Sequence, residues 1–171
     1  MGILAKIFGA VSREEMNGIR INLKEPLWEV EGKTDFSKVF SGLADLLPAN
    51  SILYFEGGSP PKDILNFLSE NSGPEKIHVA YGTIWPRPQT FHVLASTQNL
   101  QKLADLMCSR VYPELAIHFH VYCEDKILLQ WYDAFTQPML LSTKFSSETI
   151  EIFSNSVGMK PHLYQPKTKT K

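Results

Sequence analysis

The chain carries almost no net charge. Seventeen Lys and Arg stand against eighteen Asp and Glu, a formal −1 at pH 7. No global field therefore steers it toward nucleic acid or an anionic membrane, and no nucleic-acid partner is expected. Cysteine is scarce as well: Cys108 and Cys123 stand alone, without a Cys-x-x-Cys pair. That excludes a disulfide-rich scaffold and a zinc-finger spacing. Cys108 falls on the hydrophobic side of an expected helix and Cys123 ends the apolar side of an expected strand. Both read as small buried apolar residues of a cytoplasmic protein. The chain has no apolar run long enough to span a bilayer. Walker A, G-x-G-x-x-G, His-Glu-x-x-His and G-x-S-x-G motifs are all missing, which weighs against the commonest nucleotide-binding, zinc-protease and hydrolase classes. No cofactor is expected.

What is present is the composition of a globular protein. With 43% hydrophobic and 11% aromatic residues in a chain of 171, a packed core forms without a metal or disulfide. The expectation is one soluble α+β domain over residues 1–165, followed by a flexible basic tail at 166–171 that holds Lys167, Lys169 and Lys171. Near the start, Ile3, Leu4, Ile7, Phe8 and Val11 are spaced like one face of a helix. This stretch lacks the long apolar centre of a signal peptide. It also has Lys6 where a myristoylation pattern needs Ser or Thr, so a docked first helix is the simplest reading.

Alternation of apolar and polar residues predicts strands over 19–23, 27–30, 52–55, 78–83, 90–95, 117–123 and 127–133. Helical spacing predicts four further helices. One runs over 35–47, capped by Thr34 or Asp35 and closed by Pro48. The next starts at Ser59-Pro60-Pro61 and carries Ile64, Leu65, Phe67 and Leu68. A third follows Thr97 with Leu100, Leu103, Ala104 and Met107 inward. The last is capped by Ser146 or Ser147 and stopped by Gly158. Together these make a mixed or mainly antiparallel sheet with helices chiefly on one face, built from recurring strand-strand-helix units.

Three segments could carry chemistry. In 117–123 a period of two sets Ile117, Phe119, Val121 and Cys123 on one face and His118, His120 and Tyr122 on the other. A three-residue turn at 124–126 then pairs Cys123 with Ile127. It adds Ile127, Leu129 and Trp131 to the apolar face, and Leu128, Gln130 and Tyr132 to the His-Tyr face. His118 and His120 could share a metal with His92, a set that Asp133 or Glu124 could complete. The second segment, Phe55-Glu56-Gly57-Gly58-Ser59-Pro60-Pro61, has the form of a strand-to-helix anion site. Its two prolines remove donors, however, and Glu56 repels phosphate. The third, Trp85-Pro86-Arg87-Pro88, is a stiff loop presenting two residue types favoured at interfaces.

These features favour a non-catalytic binding or protein-interaction domain over an enzyme. Its candidate binding residues are Trp85, Arg87, His118, His120, Tyr122, Gln130 and Tyr132, and its partner is another protein. The alternative is a small metal-dependent enzyme in which His92, His118 and His120 converge.

Overall fold

Residues Ile52, Leu53, Tyr54, Phe55 and Glu56 are buried without a break, which requires a strand flanked on both edges and covered on both faces. The protein is built around that strand. A computed structural model describes residues 17–108, 110, 114–133 and 136–166. The helix expected over 1–11 and the Lys residues of the tail lie outside them. The element order is β1 (Leu27–Glu31), α1 (Phe36–Leu46), β2 (Ile52–Glu56), α2 (Lys62–Asn71), β3 (Thr90–Leu94), α3 (Thr97–Met107), β4 (His118–Cys123), β5 (Lys126–Trp131), β6 (Met139–Ser142), α4 (Ser147–Val157) and β7 (Lys160–Tyr164). The strands form one seven-stranded sheet in the order β3-β2-β4-β5-β6-β1-β7, every pair antiparallel. The α+β architecture expected from the sequence is the one observed.

The helices follow from local chemistry. In α1, Phe36, Val39, Phe40, Leu43 and Leu46 recur at helical spacing and are buried, while the Asp35 carboxylate accepts the Ser37 N–H at the N-terminus. Ser96 caps α3, one residue before the expected Thr97. Ser146 caps α4, which Gly158 ends in the left-handed conformation at φ +74°. α2 has Pro61 at its N-cap position and no side-chain cap, so Ser59 does not play the part expected of it.

All four helices contribute to one core, on one face of the sheet. Leu53, Phe55, Phe119, Val121, Leu129 and Trp131 supply much of the strand side of that core. Its aromatic rings touch in series: Phe36 with Trp131 at 5.4 Å, Phe40 with Phe119 at 5.7 Å and Phe55 with Phe119 at 5.1 Å between centroids. Burial of rings this large is the main favourable term in a fold of this size.

Over β2 to β5 the opposite face is covered by the chain itself. Residues 19–23 and 78–83, expected as strands, form none. They meet in a single parallel bridge, Ile19 to Val79, closed by Ile19 N–H to His78 O (2.9 Å) and Ala80 N–H to Ile19 O (3.2 Å). Their alternation reflects one-sided burial rather than sheet membership: Ile21 and Val79 pack onto Ile52, Tyr54, Tyr122 and Ile127. The sheet instead gains β6 and β7, short segments with Pro138 and Pro161 at or beside them, which weakened their strand signal.

The β4–β5 hairpin corrects a further expectation. Cys123 pairs with Lys126, not Ile127, across a two-residue turn, and a bulge between Val121 and Tyr122 then shifts the register. Glu124 takes φ +55°, a conformation that tight hairpin turns demand. The bulge returns Leu129 and Trp131 to the helical face as expected, but leaves Ile127 on the other. The cysteines differ as well: Cys108 lies just beyond α3 and is exposed, Cys123 is half-buried, and both are free thiols. No helix among the described residues is long and apolar enough to cross a membrane.

The cover depends on close backbone approach. A Cβ at Gly18 would overlap the Ala80 nitrogen and the Val79 carbonyl carbon. Gly18→Ala should therefore lower the urea-unfolding free energy by about 1–3 kcal/mol, the usual cost of overpacking; an unchanged midpoint would show that the two segments need not touch.

Candidate functional site

Cross-strand register aligns one row of residues over the covered face of the sheet. His92 on β3 faces Tyr54 on β2, Tyr54 faces His120 on β4, and His120 faces Gln130 on β5. The row continues through Leu140 on β6 and Glu29 on β1 to His162 on β7. Beside it, Glu56 faces His118. On this face His92, His118, His120, Glu56 and Gln130 are all buried, His120 and Glu56 completely.

Glu56 is the best-satisfied member. Its carboxylate accepts the backbone N–H of Gly82 at 3.0 Å and of Thr83 at 2.6 Å, and the Tyr54 hydroxyl at 2.9 Å. Burial, with the Glu56 charge beside it, raises the Tyr54 phenol far above its ordinary range. Gly82 is needed here because a Cβ would lie 2.7 Å from Nε2 of His118. The Asp133 backbone N–H donates to Nδ1 of His118 at 3.2 Å, so the neutral ring carries its proton on Nε2. Burial lowers the His118 pKa, against the pull of Glu56 and Asp133.

Gln130 ties the cover to the sheet: its Oε1 accepts the Ile21 N–H at 2.8 Å and its Nε2 donates to the Tyr132 hydroxyl at 2.9 Å. His92 shares a hydrogen bond with the Tyr122 hydroxyl at 3.0 Å. Burial lowers His92 and pushes Tyr122 up to about 12.

His120 is the exception. Its ring stacks on Tyr54 (5.4 Å, 5°) and lies 4.9 Å from the Tyr132 ring. Neither ring nitrogen has a hydrogen-bond partner among the described residues. Complete burial, reinforced by nearby His118, holds its pKa down at about 3. A buried imidazole of this kind is neutral at any ordinary pH.

The expected site residues thus separate into two groups. His92, His118, His120, Tyr122, Gln130 and Tyr132 do share one face, but all are buried except Tyr132, which is half-buried. The three imidazoles do not converge, because Tyr54 stands between His92 and His120 in register, placing them two strand spacings, about 10 Å, apart. Among the described residues no group of three His, Cys, Asp or Glu could hold a metal. Trp85 and Arg87 form the second group, on a loop that leaves the cover directly after Thr83. Trp85 is 66% exposed and Ile84 59%, while the Arg87 guanidinium lies 6.0 Å from the Tyr81 ring centroid. At the Gly57-Gly58 junction, Asp63 occupies the first turn of α2 and pairs with Arg110 at 2.7 Å.

Sequence reasoning missed the role of Glu56. Its one signal is a carboxylate spaced two residues from each neighbour in Ile52, Tyr54, Glu56, which puts it on the face of its strand opposite Phe55. No protein-family model, curated protein or solved structure matches this chain. Fold and site together define an α+β domain whose sheet is closed by helices on one side and, over β2 to β5, by its own irregular chain on the other.

The buried histidines make stability depend on pH with a definite sign. Their folded pKa values lie below the ordinary 6.5, so below that pH the unfolded chain takes up more protons. Stability is full above about pH 6.5 and falls as the pH drops toward 3, on the order of 1 kcal/mol per pH unit from His120 alone. Urea titrations at pH 7 and 5 measure this. His120→Phe, which keeps a ring on Tyr54 and removes two nitrogens that have no hydrogen-bond partner among the described residues, should raise stability at pH 7 by about 1 kcal/mol and flatten the slope. An unchanged slope would mean that His120 is solvated in the folded chain.

Proposed function

We propose that this domain binds another protein, non-catalytically, with the loop Ile84-Trp85-Pro86-Arg87 as its anchor. The exposed Ile84–Trp85 pair carries this reading. Large apolar side chains held in water lose free energy until something covers them, and Trp and Arg recur where partners grip.

The root of the loop supports it further. Gly82 and Thr83 donate their backbone N–H groups to buried Glu56, so the residues just before Ile84 are fixed to the sheet. Two prolines, Pro86 and Pro88, restrict the segment beyond. A loop restrained at its root and stiffened along its length loses little entropy on binding. The partner this chemistry fits offers a concave apolar pocket for Trp85 and an acidic rim for Arg87.

His118, His120, Tyr122 and Gln130, also candidates from the sequence, belong in this proposal to the foundation of the loop rather than to its contact surface. A reducing, cytoplasmic setting is part of the same proposal, supported by Cys108 and Cys123 both being free thiols.

The test compares the protein with Trp85→Ala and with Arg87→Ala, as bait in lysate of the source cells and then against the purified captured protein. Trp85→Ala should leave the fold within about 0.5 kcal/mol, as exposed positions do, and weaken binding by about 2 kcal/mol or more. A partner held equally by both forms would remove this loop from the interface. Glu56→Gln, by weakening the hold on Gly82 and Thr83, should reduce binding while Trp85 itself is intact.

A further inference from the structure

His118 is held from three sides. Glu56 on β2 faces it across the sheet, and Gly82 of the cover lies against its ring. On the third side the Asp133 backbone N–H, two residues past β5, donates to its Nδ1 at 3.2 Å. Asp133 takes φ +55°, a left-handed conformation uncommon outside glycine. The Tyr132 ring packs edge-on at 5.2 Å, and the His120 ring, on the same strand, lies nearly parallel at 6.5 Å. The charged or titratable groups around His118 are therefore Glu56, Asp133, Tyr132 and His120, with Arg20 acting on Tyr132. The cover itself presents a glycine.

The Glu56 carboxylate has no place left for another donor. Its Oε1 accepts from Gly82 (3.1 Å) and Thr83 (2.6 Å), and its Oε2 from Gly82 (3.0 Å) and Tyr54 (2.9 Å); a carboxylate offers about four such places. A neutral His118 fits this arrangement, because Nδ1 needs a donor and receives one from Asp133. A protonated ring does not. Both of its nitrogens are donors, so Nδ1–H confronts the Asp133 N–H. Glu56, the buried anion beside it, takes a new donor only by giving up Gly82, Thr83 or Tyr54. Asp133 is exposed, so water and salt screen its charge.

We propose that His118 is an acid-operated latch on the cover: when Nδ1 takes a proton from solvent, Asp133 and the Gly82 and Thr83 amides are released together, and the 81–83 end of the cover lifts from the sheet. Linkage fixes the direction. Burial holds the closed ring below the ordinary 6.5, and a ring reached by water returns to it. The open form thus binds the proton more tightly, and opening gains on closure as the pH falls below about 6.5. Because Thr83 leads into Ile84 and Trp85, the same step frees the root of the exposed loop. The latch is a property of the free chain and stands whether or not that loop has a partner.

Amide hydrogen exchange of the full chain, labelled with 15N and read at pH 7, 6 and 5, tests this. Corrected for intrinsic rates, protection of Gly82, Thr83 and Asp133 should fall about tenfold from pH 7 to 5, as one proton taken up on opening requires. Dilute urea should leave these three amides unchanged, the mark of a local opening, while it speeds Leu53 and Val121, which exchange through global unfolding. Where the His118 ring itself titrates, the Gly82, Thr83 and Asp133 amide shifts should move with the same midpoint. His118→Asn, whose side-chain oxygen can still accept from Asp133 but takes up no proton, should hold their protection level from pH 7 to 5. If that variant does not fold, the ring titration of the native chain decides. Constant protection in the native chain would overturn the latch, as would a fall that persists in His118→Asn or amide shifts that ignore the ring. An equal urea response at Gly82 and Leu53 would overturn it too, because the cover would then open only with the whole fold.

Discussion

A buried carboxylate must be satisfied from within the protein, and the way Glu56 is satisfied organises one side of this molecule. The last residue of the central strand is fully buried, and an ionised carboxylate in such a place is tolerable only with several donors. Two of them are backbone N–H groups of Gly82 and Thr83 and the third is Tyr54. To deliver those amides the 77–83 segment has to lie down over the sheet. In doing so it covers His118 and His120 and positions the start of the Ile84–Trp85 projection. One electrostatic requirement thus links the burial of the imidazoles to the exposure of the indole.

The two faces of the sheet are closed by different means. Helices with regular apolar stripes seal one face, where nearly all contacts are hydrophobic and their backbone groups are satisfied within each helix. The other face is closed partly by irregular chain, whose backbone groups need partners wherever they are buried. Gln130 and Glu56 supply these, accepting from Ile21, Gly82 and Thr83. The polar residues of the second face are therefore largely the fittings of a non-helical cover. His120, with neither ring nitrogen hydrogen-bonded among the described residues, is the member of the row that this role does not explain.

Where the cover stops, the same sheet face changes character. Past Gln130 the row passes to Leu140 and Glu29 with nothing laid across it among the described residues, and an apolar groove opens. Burial gives way to exposure along a single line of cross-strand neighbours, from buried Gln130 through half-buried Leu140 and Glu29 to exposed His162. The distinction between covered and uncovered residues on this face is set by how far the 17–26 and 77–83 segments reach, not by residue type.

Periodicity alone determined the helices, the α+β class and the division of β4 into an apolar face and a His-Tyr face. Each follows from short-range geometry: 3.6 residues per turn, two per strand repeat, a capping side chain within three residues. Only the tertiary structure decided that 19–23 and 78–83 cover the sheet rather than join it, since a segment buried on one side alternates whether or not it is paired. It also decided the tight turn and bulge of the hairpin, where alternation alone favours a three-residue loop because a two-residue loop mixes the faces unless a bulge resets them. That Tyr54 separates His92 from His120, and that Glu56 holds the cover, depended on strand order and register. Those are relations between residues tens of positions apart, which no local spacing encodes.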